Sequence, residues 1–311
     1  QTLNAGDFGT LFGAITTATC LAAALASAIM GLYARYPIAQ APGMGENFFF
    51  VFTAVPAAAA AGVAVPWATA LGAVFVSGVL FLVLSLAGAR EAVMNAISPS
   101  MKHAIAAGIG LFIAFIGLQN AGLIVKDPGT AVRLNAQFAS PDLVVFFVGL
   151  LVAAGLHARR VRGSILWGIL AAGTLAVALK VLLPHLGPDI VGHPFVAESA
   201  LVQRFEVADR MVAAPPSLEP TLLRMDVRGA LSLAMAPIVA VFLFMVFFDT
   251  VGTLVGVAQQ AGLMRDGRLP RARQAFVSDA VGTVAGACLG TSTVTSYIES
   301  ATGVEQGGRT G

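Results

Sequence analysis

The sequence predicts an all-α polytopic membrane protein, and three observations predict it. Of 311 residues, 57% are hydrophobic and only 11% charged, against roughly 45–50% and about 25% in a soluble domain. Four stretches hold no charged residue: Phe8–Ala34 (27 residues), Asn47–Ala89 (43), Ala104–Val125 (22) and Gly229–Phe248 (20). A membrane-spanning helix needs about 20 apolar residues. Two further stretches break the helical pattern with proline, glycine and hydroxyl residues. This balance excludes a water-soluble enzyme, a nucleic-acid binder and a disulfide-stapled secreted fold. Cys20 and Cys288 both lie in apolar segments, so no disulfide framework is expected. No basic region precedes Phe8, and Phe8–Ala34 reads as a mature span and not a signal peptide.

Taken in order, apolar runs bounded by Gly, Pro and charge give about eight membrane elements. They cover approximately 8–34, a broken segment 36–55, 67–89, 103–124, 141–157, 163–183, 229–258 and 275–311. The last is itself interrupted near Gly290–Ser300. Between 183 and 229 runs a polar stretch with Pro184, Pro188, Pro194, Pro215, Pro216 and Pro220, read as the only sizeable extramembrane segment.

Basic residues set the orientation. Arg35, then Arg90 and Lys102, then Arg159, Arg160 and Arg162, then Arg265, Arg268, Arg271 and Arg273 occupy alternating junctions, which puts ten of the 18 basic residues on one face. The short opposite junctions hold Lys126 and Arg133. The positive-inside rule makes the ten-residue face, with the loops near Arg90, Arg160 and Arg271, cytoplasmic. The stretch 184–228 is then external.

The two broken segments are Tyr36–Asn47, with two prolines and two glycines, and Gly290–Gly303, rich in β-branched and hydroxyl residues. Lipid offers backbone groups no partner, so irregular backbone at membrane depth survives only inside the protein or along a cavity. One interrupted element in each half points to a secondary transporter's midplane site. Two ordinary loops would read the same way from pattern alone.

Three carboxylates stand in apolar surroundings: Glu46, Asp249 and Glu299. A charge at the bilayer centre costs about 2.5–3.5 kcal/mol on insertion scales. Asp249 is the sharpest, with twenty uncharged residues before it and fifteen after; the bland alternative is a cap at a helix break. Glu299 is open to a reading as a carboxylate reaching the membrane rim. Glu46 sits where a half-helix is expected to start, and a helix N-terminus favours a carboxylate whatever its function. Asn47 offers donors and an acceptor suited to a planar heterocycle. Phe48–Phe50 and Phe52 have faces to stack on such a ring, or simply pack. There is no H-E-x-x-H, G-x-S-x-G or Walker-type motif, so no enzyme is expected. His103, His157, His185 and His193 fall in loops or at span ends and suggest no metal site.

Several stretches carry a family resemblance. They are Tyr-Pro-Ile-Ala-Gln-Ala-Pro-Gly-Met-Gly-Glu-Asn (36–47), Ala-Gly-Ile-Gly-Leu-Phe-Ile-Ala-Phe-Ile-Gly-Leu-Gln-Asn-Ala-Gly (107–122), Phe-Phe-Asp-Thr-Val-Gly-Thr-Leu (247–254), Ser278-Asp-Ala-Val-Gly-Thr and Gly290-Thr-Ser-Thr-Val-Thr-Ser-Tyr-Ile-Glu-Ser. In them the chain resembles the nucleobase–cation symporters, in particular the AzgA-like purine permease branch of the nucleobase–ascorbate transporter group.

The resemblance implies fourteen segments in two inverted repeats of seven, a core domain and a gate domain, and segments 3 and 10 each built as a short strand plus half-helix. On that template the chain is a fragment holding segments 2 to 10. Residues 1–92 and 229–311 are then core, 93–183 gate, and 184–228 an external loop. The resemblance further implies substrate contacts from Gly45, Asn47, Asp249 and Glu299. It also implies a homodimer. Beside it, the residues themselves suggest backbone donors around Tyr297 and Ile298, with Phe48 and Thr250 as further candidates. Glu46 is a departure: many relatives carry an apolar residue there, so its carboxylate is expected to bear on substrate preference or proton handling. The expected function is import of a neutral purine base (adenine, guanine or hypoxanthine) by proton symport across the inner membrane. Asp249 and Glu299 carry the coupling, with H+ as coupling ion and no cofactor or metal. Alternatives are a sodium-coupled, uracil or xanthine carrier of the wider group, or a passive channel.

Overall fold

The computed structural model describes residues 5–88, 98–138, 140–185, 192–203, 205, 207, 214–264 and 269–311. Arg90, Arg265 and Arg268, three of the basic junction residues, lie outside the described residues, as does the expected domain boundary after residue 92. Two compact units emerge, one from residues 1–109 with 214–311 and one from 110–213.

In the first unit, α1 (Ala5–Ile29) runs on through a wider turn, Met30–Ala34. Then come β1 (Gln40–Pro42), α2 (Met44–Phe49) and α3 (Val55–Ala60), the last two joined through Phe50–Ala54, and α4 (Pro66–Leu86). Helix α5 (Pro99–Asn120) passes from this unit into the other. The chain returns with α10 (Val227–Ala230), α11 (Ala236–Gln260), α12 (Ala272–Leu289), β4 (Val294–Ser296) and α13 (Ser300–Glu305). The second unit holds the hairpin β2 (Ile124–Asp127) and β3 (Ala131–Leu134), the helix pair α6 (Pro141–Ala158) and α7 (Ser164–Leu182), and the short helices α8 (Pro194–Ala197) and α9 (Ala200–Gln203).

Among the described residues five helices are long and apolar enough to cross a membrane. Their outer faces stay apolar: Phe12, Leu32, Leu151, Trp167 and Phe244 are all exposed. Lipid tails favour that arrangement as strongly as water would oppose it. Inside the first unit, small residues let helices approach. Ala14, Ala18, Ala22 and Ala26 recur every fourth residue on α1, each fully buried, and that stripe lies along α12. A second apolar cluster joins α4 to α11 through Leu71, Val74, Met235 and Phe242, with Phe49 set edge-on to Phe242 at 4.9 Å.

Three parts differ from expectation. The stretch 184–228 is not loop throughout, since it holds α8 and α9. Its second half is built into the first unit: Thr17 Oγ1 donates to Pro216 O (3.1 Å), Thr221 Oγ1 to Leu289 O (2.9 Å), Leu223 N to Cys288 O (2.8 Å) and Asp226 N to Ala68 O (2.9 Å). The last carbonyls of a helix have no intrahelical partner, and this strap satisfies two of them at the end of α12, while Asp226 N anchors it to a carbonyl in the first turn of α4. The seventh element begins later than residue 229, because α10 stops at Ala230 and α11 starts afresh beside Pro237, a residue suited to a first helical turn. The β2–β3 hairpin was also unexpected. Its turn closes where Asp127 accepts from the N–H groups of Gly129 (2.8 Å) and Thr130 (3.0 Å), which holds its carboxyl below the usual range.

Candidate functional site

Prolines 37 and 42 and Gly43 end helix formation after α1, and the β-branched run Thr291–Thr295 favours extended backbone after α12. The two extended pieces meet. β1 pairs antiparallel with β4, Gln40 opposite Ser296, Ala41 opposite Thr295 and Pro42 opposite Val294. The ribbon continues past both strands through Gly43 N to Thr293 O (3.0 Å) and Tyr297 N to Ala39 O (2.9 Å).

A two-stranded ribbon has two open edges and is marginal on its own. Here side chains close them. Ser27 Oγ of α1 accepts from Gln40 N (2.9 Å) and donates to Gln40 O (3.1 Å). Ser300 Oγ accepts from Ala39 N, Thr283 Oγ1 donates to Val294 O (2.7 Å), and the Tyr297 hydroxyl donates to Pro42 O (2.6 Å). Broken backbone persists inside a membrane protein on that condition.

Strand alternation then distributes the chemistry. On one face, Val294 rests on Gly282 and Gly286 of α12, and Ser296 and Gln40 reach Asp279 of the same helix. Asp279 Oδ1 accepts from Gln40 Nε2 (2.8 Å) and Ser296 Oγ (3.2 Å), while its Oδ2 accepts from Thr250 Oγ1 (2.5 Å). Asp279, Thr250 and Gln40 are all buried. On the other face, Thr295 Oγ1 donates to Asp249 Oδ2 of α11 (2.9 Å). Asp249 is half-buried, and no basic side chain among the described residues pairs with it.

The remaining expected residues gather at the ends of the ribbon. Gly43 is the residue before α2, and a Cβ there would come within 2.0 Å of Glu46 Oε2, so a side chain at 43 would push that carboxyl aside. The Glu46 carboxyl folds back into this space onto the start of α2, against its own backbone N–H, and is 4% exposed. Asn47, one position on, is exposed, and Ser292 Oγ donates to its Oδ1. Gly45 is half-buried. Glu299 is exposed at the start of α13, near enough to Asp249 for the two charges to interact, and Tyr297 senses Glu299, Asp249 and Glu46 together.

The structure thus brings Glu46, Asn47, Asp249, Tyr297 and Glu299 to one locality where β1, β4, α2, α11 and α13 converge. Two expected side chains face elsewhere: Thr250 is turned toward Asp279, and Phe48 lies against Phe52 with ring centroids 5.7 Å apart. Ile298, expected only through its backbone N–H, packs its side chain on the apolar core of the first unit.

Sequence reasoning passed over Asp279, Gln40 and Ser292. Asp279 carried a usable signal: five uncharged residues separate it from Arg273 and nineteen from Glu299, the same isolation that singled out Asp249. Gln40 and Ser292 carried none, since polar uncharged residues in a broken segment read as loop.

A family model described as a permease family matches residues 2–311 of this chain. The chain belongs to that family, the nucleobase–ascorbate transporters. It is 42% identical over 301 residues to the guanine/hypoxanthine permease PbuG of Bacillus subtilis, covering 96% of this chain and 62% of PbuG. It is 37% identical to PbuO, a guanine/hypoxanthine permease of the same organism, covering 97% of the chain and 65% of that protein. Against the adenine permease AdeP of Escherichia coli it is 35% identical, covering 96% and 60%. The chain therefore spans roughly three fifths of the length of these relatives. They are transporters and not enzymes, in keeping with the absence of catalytic motifs.

Proposed function

We propose that the full-length protein is a secondary active carrier that imports purine nucleobases by proton symport across the cytoplasmic membrane. One observation carries the reading: two interrupted segments cross as a ribbon inside the helical unit, with Asn47, Asp249 and Glu299 beside the crossing. Carboxylates accept N–H groups of a base, and charge-assisted hydrogen bonds are roughly twice as strong as neutral ones. The Asn47 amide adds donors for ring nitrogens or an exocyclic oxygen. Among the described residues Asp249 pairs with no basic side chain and accepts one hydroxyl, that of Thr295, which leaves room for a proton to load and leave. The relatives named for guanine, hypoxanthine and adenine support a purine as substrate.

In this reading the two ribbon-and-half-helix elements are the matching parts of inverted repeats. The first unit is the core that carries substrate and the second belongs to the gate. The loops near Arg160 and Arg271 face the cytoplasm, and the carrier works as a homodimer. The test is uptake of radiolabelled adenine, guanine and hypoxanthine by the full-length protein with and without a protonophore. Concentrative uptake that collapses with the protonophore, and is abolished in Asp249→Asn, is the expected result. Undiminished accumulation in Asp249→Asn removes the coupling role, and uptake that follows sodium instead of the proton gradient removes proton symport.

A further inference from the structure

We infer that Ser292 is a positioning residue that fixes the Asn47 amide with its N–H groups toward the substrate, biasing the carrier to 6-oxopurines over adenine. The inference rests on the purine-carrier reading above and deepens it.

Asn47 occupies the first turn of α2, its backbone N donating to Gly43 O (2.9 Å), and its side chain is exposed. A primary amide has one acceptor and two donors, and rotating it by half a turn exchanges them. In isolation Asn47 would present either. Ser292 biases that choice: its hydroxyl donates to Asn47 Oδ1, and although a hydroxyl can also accept, turning the amide would deprive this nearly buried O–H of that acceptor. Ser292 itself is 6% exposed and has little room to shift. On one side of it Thr291 shares a hydroxyl hydrogen bond with Thr19 of α1 (2.9 Å), and on the other Thr293 O accepts from Gly43 N. The acceptor end of the amide is thus occupied from behind, and what remains open is NH2.

Of the other polar side chains at this locality, Glu46 is buried against the start of α2 and the Tyr297 hydroxyl donates to Pro42 O, which leaves Asp249 and Glu299, acceptors when ionised. Donors of the base pair with them, and the acceptor edge of the base is left to Asn47. Purines differ at that edge. Guanine and hypoxanthine carry O6 beside N7, two acceptors, whereas adenine carries the N6 amino donor beside N7, and an amide reads that pair with one donor and one acceptor. An amide locked with only donors outward fits O6 and N7 and confronts the adenine amino group with like polarity. Freed of Ser292, the amide can turn and read adenine through both of its ends.

The experiment measures Vmax/KM for radiolabelled hypoxanthine and adenine in full-length wild type, Ser292→Ala and Ser292→Thr. In Ser292→Ala the hypoxanthine-to-adenine ratio should fall by about fivefold or more, the lower end of what one bidentate base contact discriminates. Ser292→Thr keeps the hydroxyl and should keep the wild-type ratio. Asn47→Asp replaces the outward NH2 by an acceptor and should lower the ratio too, which covers the case of a Ser292→Ala protein that fails to reach the membrane. A ratio within twofold of wild type in transporting Ser292→Ala, or an equal change in Ser292→Thr, overturns the inference while leaving the purine-carrier reading standing. Absence of saturable uptake of any purine by wild type overturns both.

Discussion

Asp279→Ala tests the account of how the broken segments are held. The carboxylate is fully buried and accepts from three side chains on three different elements: Gln40 of β1, Ser296 of β4 and Thr250 of α11. Truncation to Ala leaves these donors without their acceptor. Gln40 Nε2 also reaches Ser296 Oγ at 3.2 Å, so one of the three keeps a partner. Two buried donors remain stranded, at about 1–3 kcal/mol each, for a combined loss of about 2–6 kcal/mol. Relief of the carboxylate's own desolvation works the other way, which makes the lower end the safer expectation. At about 2 °C per kcal/mol for a chain of this size, the melting temperature of the purified full-length protein in detergent should drop by about 4 °C or more. Asp279→Asn keeps the shape and one acceptor and should fall between Ala and wild type. A thermal melt of Asp279→Ala within about 1 °C of wild type would refute the claim that this residue ties the ribbon to α11 and α12.

Other consequences can be measured separately. Gly290 has φ of 103° and a Cβ there would come within 2.3 Å of Thr221 Cβ, so Gly290→Ala should cost at least the roughly 1–2 kcal/mol of a left-handed non-glycine residue. Because Thr221→Gly alone loses the hydroxyl bond to Leu289 O, Gly290→Ala should cost less in a Thr221→Gly background than in wild type by the steric part, as read by the same thermal melt. Asp142 accepts from Ala200 N and Leu201 N (both 2.8 Å), and Lys180 Nζ donates to Leu201 O and Val202 O, so α9 is held at both ends. Asp142→Ala should speed hydrogen exchange at Ala200 and Leu201 about fivefold, the equivalent of a lost cap of about 1 kcal/mol; unchanged exchange would dismiss the clamp. The Asp127 carboxyl lies below its ordinary value because Gly129 and Thr130 donate to it. A depressed carboxyl contributes stability that is complete above its unfolded value and lost as pH falls through the folded one. Amide protection factors of Gly129 and Thr130 should therefore hold from neutral pH down to the usual Asp range and decline only below it. Asp127→Asn should lower them at neutral pH and remove the decline on the acid side.

How much could be read in advance depended on what kind of cost each residue imposes. Asp249 was visible because a charge inside an uninterrupted apolar run is expensive wherever the chain goes. The prolines and glycines of 36–47 and the hydroxyl-rich run after Gly290 were visible as breaks for the same local reason. Asp279 obeyed the charge rule equally well and was missed beside the basic junction residues that precede α12. The β2–β3 hairpin announced itself as Asp127-Pro-Gly-Thr130, a turn sequence, but Lys126 and Arg133 drew it into the count of junction charges. The second half of 184–228 looked like loop because its composition is that of a loop.

The sequence by itself determined that the chain is a stack of membrane helices with two interruptions, because hydrophobic length and charge placement are properties of single segments. The tertiary structure alone decided what the interruptions do. Gln40 meets Asp279 across 239 residues and Ser292 meets Asn47 across 245, and no local pattern encodes such a meeting. It arises because polar side chains carried into the interior by the strands must find hydrogen-bond partners, and the partners available are those that neighbouring elements happen to bring.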